Sequence, residues 1–112
     1  MKLYSIYALV DPRTDSIFYV GSTQASLMVR LGQHMADTRF RKSDASIHKH
    51  KKEFMEQMVL DGYSPLIRLI ETVDESIVDE REKFYYFKYK NLGFKLLQKK
   101  GYFTNGKRFR YE

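Results

Sequence analysis

Residues 3–22 read LYSIYALVDPRTDSIFYVGS, two runs of apolar, β-branched and aromatic residues separated by six polar or turn-forming ones. The first run, Leu3 to Val10, stops at Asp11-Pro12, because proline cannot donate to a strand ladder. The second, Ile17 to Ser22, resumes after DPRTDS, a connection whose length suits a hairpin, so the two runs are expected to pair antiparallel. Tyr7 then sits on one strand and Tyr19 on the other. Gly21 permits a close backbone approach where the second strand gives way to a helix. Taken singly, a strand tyrosine is ordinary packing, since strands favour aromatics.

Outward from the hairpin, Leu27, Leu31 and Met35 recur every four residues between Ala25 and Thr38, which predicts an amphipathic helix with Arg30 and His34 on an adjacent stripe. Ser43 or Asp44 is a cap for a second helix running to about Asp61, with Ile47, Phe54, Met55, Met58 and Val59 on one face, a basic opposite face, and Gly62 as its stop. Pro65 to Val73 (PLIRLIETV) reads as a strand that tolerates proline at its first position. Asp74 caps a third helix that ends before Gly93 and aligns Val78, Glu82, Tyr85 and Tyr89. A short apolar strand, FKLL, is expected after Gly93. In YFTNGKRFRY, Asn105-Gly106 is a strong hairpin signal, so residues 99–112 are expected to form a basic β-ribbon. The whole is one α+β domain over residues 1–112, with its core at about 3–98 and a small mixed sheet flanked by about three helices. No repeat, low-complexity segment or linker divides it.

At 112 residues the chain has room for one modest core. Cysteine is absent, which excludes disulfides, thiolate zinc sites and cysteine nucleophiles. The opening MKLYSIYALV lacks the pattern of a signal peptide, and no segment approaches a membrane span, so a soluble intracellular protein is expected. The net charge of +6 is unevenly spread. Residues 1–82 hold 11 Lys/Arg against 13 Asp/Glu, whereas residues 83–112 hold nine Lys/Arg and a single acid, Glu112. A second basic block has Arg39, Arg41, Lys42, Lys49, Lys51 and Lys52 with only Asp44 opposing them, and His48 and His50 interleaved. Such blocks favour a polyanionic partner through counterion release, or else are solvated helix faces that aid solubility.

Ser5-Ile6-Tyr7, Tyr19-Val20-Gly21, Arg30, His34 and the glutamate heading Glu82-Lys83-Phe84-Tyr85-Tyr86 occur in that order, and together they resemble the signature of the GIY-YIG nucleases. The resemblance runs from about Leu3 to Gln98. Two positions depart from the family pattern: Ser5 stands where glycine is usual, and Gln98 where an asparagine-like ending is typical. The resemblance implies a metal-dependent DNA endonuclease in which Glu82 is the sole carboxylate ligand of Mg²⁺ or Mn²⁺, water and phosphate oxygens completing the shell. It implies Tyr7 as general base, although an ordinary tyrosine hydroxyl titrates near ~10 and needs a nearby cation to act at neutral pH. Arg30 becomes the phosphate clamp, where lysine is not expected to substitute. Tyr19 and His34 hold water or pass a proton, with Gly21, His48 and Gln98 as supporting positions. The implied products are a 5′-phosphate and a 3′-hydroxyl, and the implied setting is the cytoplasm of a bacterium or a phage-infected host cell.

Two other acids, Glu71 and Glu80, are rivals to Glu82. Glu82 is preferred because its stripe is otherwise apolar, where a carboxylate is costly without a cation; an ion pair with Arg30 is the structural alternative. On the nuclease reading, Lys49, Lys51 and Lys52 of the second helix and Lys99, Lys100, Lys107, Arg108 and Arg110 of the ribbon form a track for duplex or branched DNA. Phosphate contacts of this kind position without reading sequence, so a homodimer or protein partner would supply specificity. The alternative function is a catalytically inactive nucleic-acid-binding module on the same fold. A third is RNA binding through base stacking on Tyr102, Phe103, Phe109 and Tyr111.

Overall fold

Nearly every side chain of the first strand is buried, because that strand lies in the middle of the sheet. The computed structural model describes residues 2–40 and 49–97. Its elements are β1 (Leu3–Asp11), β2 (Ser16–Thr23), α1 (Leu27–Phe40), α2 (Lys49–Leu60), β3 (Leu66–Asp74), a 3₁₀ turn (Glu75–Ile77) and α3 (Val78–Asn91). The strand order is β2-β1-β3, with β1 antiparallel to both neighbours. The chain is therefore a small α+β fold. The sheet is antiparallel throughout its described strands rather than mixed, because β3 pairs antiparallel with β1 on the side away from β2.

The hairpin turns as its residues dictate. Thr14 N–H donates to Asp11 O at 3.3 Å, and Asp15 takes the left-handed conformation, φ 55°, which Asp tolerates better than most residues. The Asp11 carboxylate accepts from the Arg13 backbone N–H at 2.9 Å and from its guanidinium, which also reaches Asp61 Oδ2 at 2.6 Å beyond the end of α2. The guanidinium lies 5.5 Å from the centre of the Phe54 ring. Arg13 thus ties the hairpin loop to α2, and its hydrogen bonds hold the Asp11 carboxyl below the usual carboxylate range, against the opposing effect of burial.

That arrangement sets an acid dependence. A depressed folded-state pKa contributes stability above the unfolded-state value, and this is lost as pH falls through the folded-state one. Arg13→Ala is expected to lower the unfolding free energy near neutrality. It should also shrink the stability lost on acidification, as read from urea unfolding at a series of pH values. Equal acid sensitivity in the two proteins would show that the pair does not set it.

Side-chain alternation divides the core into two layers. Tyr4, Ile6 and Val20 leave one face of the sheet and pack with Val73 and with Val78 of α3. Tyr7, Leu9 and Tyr19 leave the other and pack with Met55 and Met58 of α2, bordered by Leu27, Leu31 and Met35 of α1. Phe18 joins the second layer because the β1–β2 register shifts between Leu9 and Val10, which gives β2 an extra residue there. On α2, Met55 and Met58 are buried as the spacing predicts, but Val59 is 41% exposed.

Both α2 and α3 stop on a left-handed glycine. Gly62 has φ 89° and Gly93 φ 99°, each with the paired backbone bonds of a Schellman ending. Asp74 caps the 3₁₀ turn by accepting from Ser76 N–H, and α3 comes directly after it. The buried residues of α3 are Val78, Glu82 and Tyr86. Tyr85 and Tyr89 only border the core, so the apolar stripe steps by four rather than swinging to 85 and 89.

Residues 94–97 form no regular strand; Leu97 N–H donates to Phe18 O at 2.9 Å, a single bond to the outer edge of β2. The expected ribbon at 99–112 and the caps Ser43 and Asp44 lie outside the described residues.

Candidate functional site

The β1–β2 register puts Tyr7 opposite Gly21 and Leu9 opposite Tyr19, so both tyrosines project from the same face toward α1 and α2. Their rings stack at 6.5 Å between centres. Gly21 is needed because the ring of Tyr7 lies over it: a β-carbon there would fall 2.5 Å from the Tyr7 hydroxyl oxygen and 3.0 Å from Tyr19 Cε1. The close approach at Gly21 is thus that of a cross-strand tyrosine.

Ser26 starts α1, its hydroxyl accepting from Val29 N–H at 3.2 Å. From that start, Arg30 and His34 come one turn apart onto the side of α1 that faces Tyr7. Arg30 Nε–H donates to the Tyr7 hydroxyl oxygen at 3.1 Å, and its Nη1 donates to Gln33 Oε1 at 2.9 Å. His34 is fully buried, its Nε2 2.7 Å from the same Tyr7 oxygen and its ring edge-on to both tyrosines. Four of the five residues singled out in the sequence therefore meet in one cluster, Tyr7, Arg30 and His34 through hydrogen bonds and Tyr19 through ring contacts.

A further member comes from α2. Lys51 is 2% exposed, with Nζ 2.7 Å from His34 Nδ1 and 5.0 Å from the centre of the Tyr19 ring. Lys51 thus lies inside the fold rather than on the basic outer face of α2, its amine directed at an imidazole. The basic run KHKK disguised it, yet a signal was present: Lys51, Met55 and Met58 share an i, i+4, i+7 stripe, which puts Lys51 on the buried face. Lys52 is partly exposed, 3.8 Å from Glu56. Only the helical backbone of Lys49 is described. His48, Gln98, Lys99, Lys100, Lys107, Arg108 and Arg110 lie outside the described residues, as do Tyr102, Phe103, Phe109 and Tyr111.

Glu82 is fully buried. It sits on the inward side of α3, in the layer of Tyr4, Ile6 and Val20, whereas His34 and Tyr7 belong to the other layer. β2, an edge strand of the sheet, lends Tyr19 to one layer and Val20 to the other, and it is the strand against which α3 packs most closely. The rival acids are otherwise engaged or solvated. Arg81 Nε donates to Glu71 at 2.8 Å, and this bond, followed in size by the opposing effect of burial, leaves the Glu71 carboxyl below the usual carboxylate range; Tyr85 contributes a further bond. Glu80 is exposed. Among the described residues no three acids or histidines cluster as a metal cage.

No helix among the described residues is long and apolar enough to cross a membrane. No family model, curated protein or solved structure matches the chain.

Proposed function

We propose that this protein is a divalent-metal-dependent endonuclease that hydrolyses phosphodiester bonds in DNA, with a site of the GIY-YIG kind. The observation that carries the reading is the convergence of Arg30 and His34 on a single buried tyrosine oxygen beneath Gly21. A tyrosine needed only for packing gains little from a guanidinium and an imidazole directed at its hydroxyl. A tyrosine that handles a proton beside a charged phosphate gains much, because nearby donors stabilise negative charge on its oxygen.

In this reading Tyr7 accepts the proton of the attacking water. Arg30, half-buried on α1, keeps Nε on Tyr7 and presents its guanidinium to the phosphate. His34 and Tyr19 fix the position of the Tyr7 ring. Glu82 would hold Mg²⁺ or Mn²⁺, which when bound would polarise the scissile phosphate and stabilise the leaving oxygen.

Purified protein is expected to nick or cut supercoiled plasmid with Mg²⁺ or Mn²⁺. Arg30→Lys should lower the rate by about 100-fold or more, since an ammonium cannot both donate to Tyr7 and present a planar fork to phosphate. Binding of DNA with no cleavage of duplex or branched substrates under either metal would favour the non-catalytic binding module instead.

A further inference from the structure

We propose that Lys51 is a positioning residue that fixes the protonation pattern of the site: its ammonium donates to His34 Nδ1, so that His34 is neutral, carries its proton on Nε2, and donates it to the Tyr7 oxygen. The consequence for catalysis rests on the endonuclease reading; the assignment of protons does not.

Donor and acceptor inventories decide the pattern. An ammonium has three donors and no lone pair, so at 2.7 Å from Nζ the Nδ1 atom must present its own lone pair. An imidazolium is excluded there, because its Nδ1–H would point at another N–H at hydrogen-bonding distance. A neutral ring whose Nδ1 accepts has its single proton on Nε2, and Nε2 lies 2.7 Å from the Tyr7 oxygen. That oxygen also receives Arg30 Nε–H at 3.1 Å. With two lone pairs accepting from these donors, the phenol's own proton points away from His34 and Arg30, and it is the phenolate, with a third lone pair on that side, that accepts the proton of the attacking water. The opposite pattern, with a proton on Nδ1, requires a neutral amine at Lys51 and makes Tyr7 the donor to His34.

The Tyr19 ring supports the first pattern. Lys51 keeps only 2% of its surface, which by itself disfavours the charged form, but its Nζ stands 5.0 Å from the centre of that ring, whose π-face favours a cation, and 2.7 Å from an imidazole nitrogen able to accept from it. Among the described residues, Tyr7, Tyr19 and Lys51 contact His34 from β1, β2 and α2, and Arg30 of α1 adjoins it through the Tyr7 oxygen. The ammonium therefore acts at a distance: it does not touch substrate, yet it decides which atom of His34 faces Tyr7.

The test is imidazole ¹⁵N–¹H spectroscopy of the full chain, in which His34 is one of three histidines and is assigned by single replacements. Wild type is expected to show a protonated, pyrrole-like Nε2 and an unprotonated Nδ1. Lys51→Met, of similar length but without a donor, should lose this pattern and slow plasmid cleavage by about 10–100-fold while its amide spectrum stays dispersed. A proton on Nδ1 in wild type, or an unchanged His34 pattern in folded Lys51→Met, overturns the proposal. So does a changed pattern with cleavage undiminished. Should Lys51→Met fail to fold, the wild-type spectrum alone decides. Should wild type cleave no substrate while His34 shows the expected pattern, the endonuclease reading fails and the proton assignment stands.

Discussion

Glu82→Gln protein is expected to leave supercoiled plasmid intact under conditions in which wild type nicks it, a loss of about 10³-fold or more. The substitution keeps volume and shape at a fully buried position and removes only the negative charge, so packing against Val78 and Tyr86 should survive. A second readout separates metal binding from catalysis. Mg²⁺ should raise the melting temperature of wild type, because a ligand that binds only the folded state stabilises it, and should leave that of Glu82→Gln unmoved. Wild-type cleavage by Glu82→Gln would remove the carboxylate from the site. An equal Mg²⁺ response in the two proteins would move the ion elsewhere.

Gly21→Ala is the second large expected effect. A methyl group at 2.5 Å from the Tyr7 oxygen cannot be accommodated by the far end of a flexible side chain, since that oxygen is pinned by His34 and Arg30. Tyr7 must rotate, and it rotates away from both partners. The expected cost is about 1–3 kcal/mol of stability from overpacking. Cleavage should fall by about 100-fold, because displacement by an ångström suffices to spoil a reacting geometry. Chemical denaturation and the plasmid assay measure the two parts separately. An alanine variant as stable and as active as wild type would mean that the hairpin shifts without disturbing the cluster.

The hairpin and the placement of Arg30 and His34 were legible because each rests on a local rule: two apolar runs joined by a short turn, and a helical interval of four. The antiparallel placement of β3 was not legible, since nothing in PLIRLIETV states which edge of the hairpin it will join. Residues 94–97 carry the composition of a strand but make one backbone bond to β2 and no ladder among the described residues. On α3, aromatics at 84, 85, 86, 87 and 89 satisfy more than one helical stripe, so composition could not choose Tyr86 over Tyr85 for burial. Lys51 was obscured by its neighbours in a basic run, although the spacing to Met55 and Met58 held the clue.

The burial of Lys51 beside those two methionines means that one helix serves both as a wall of the hydrophobic interior and as the mount for a cation. Drift in the interior is therefore not silent. A change of volume at Met55 or Met58 that tilted α2 slightly would carry the ammonium with it and detune His34, so variation at these inner positions is constrained by chemistry as well as by packing.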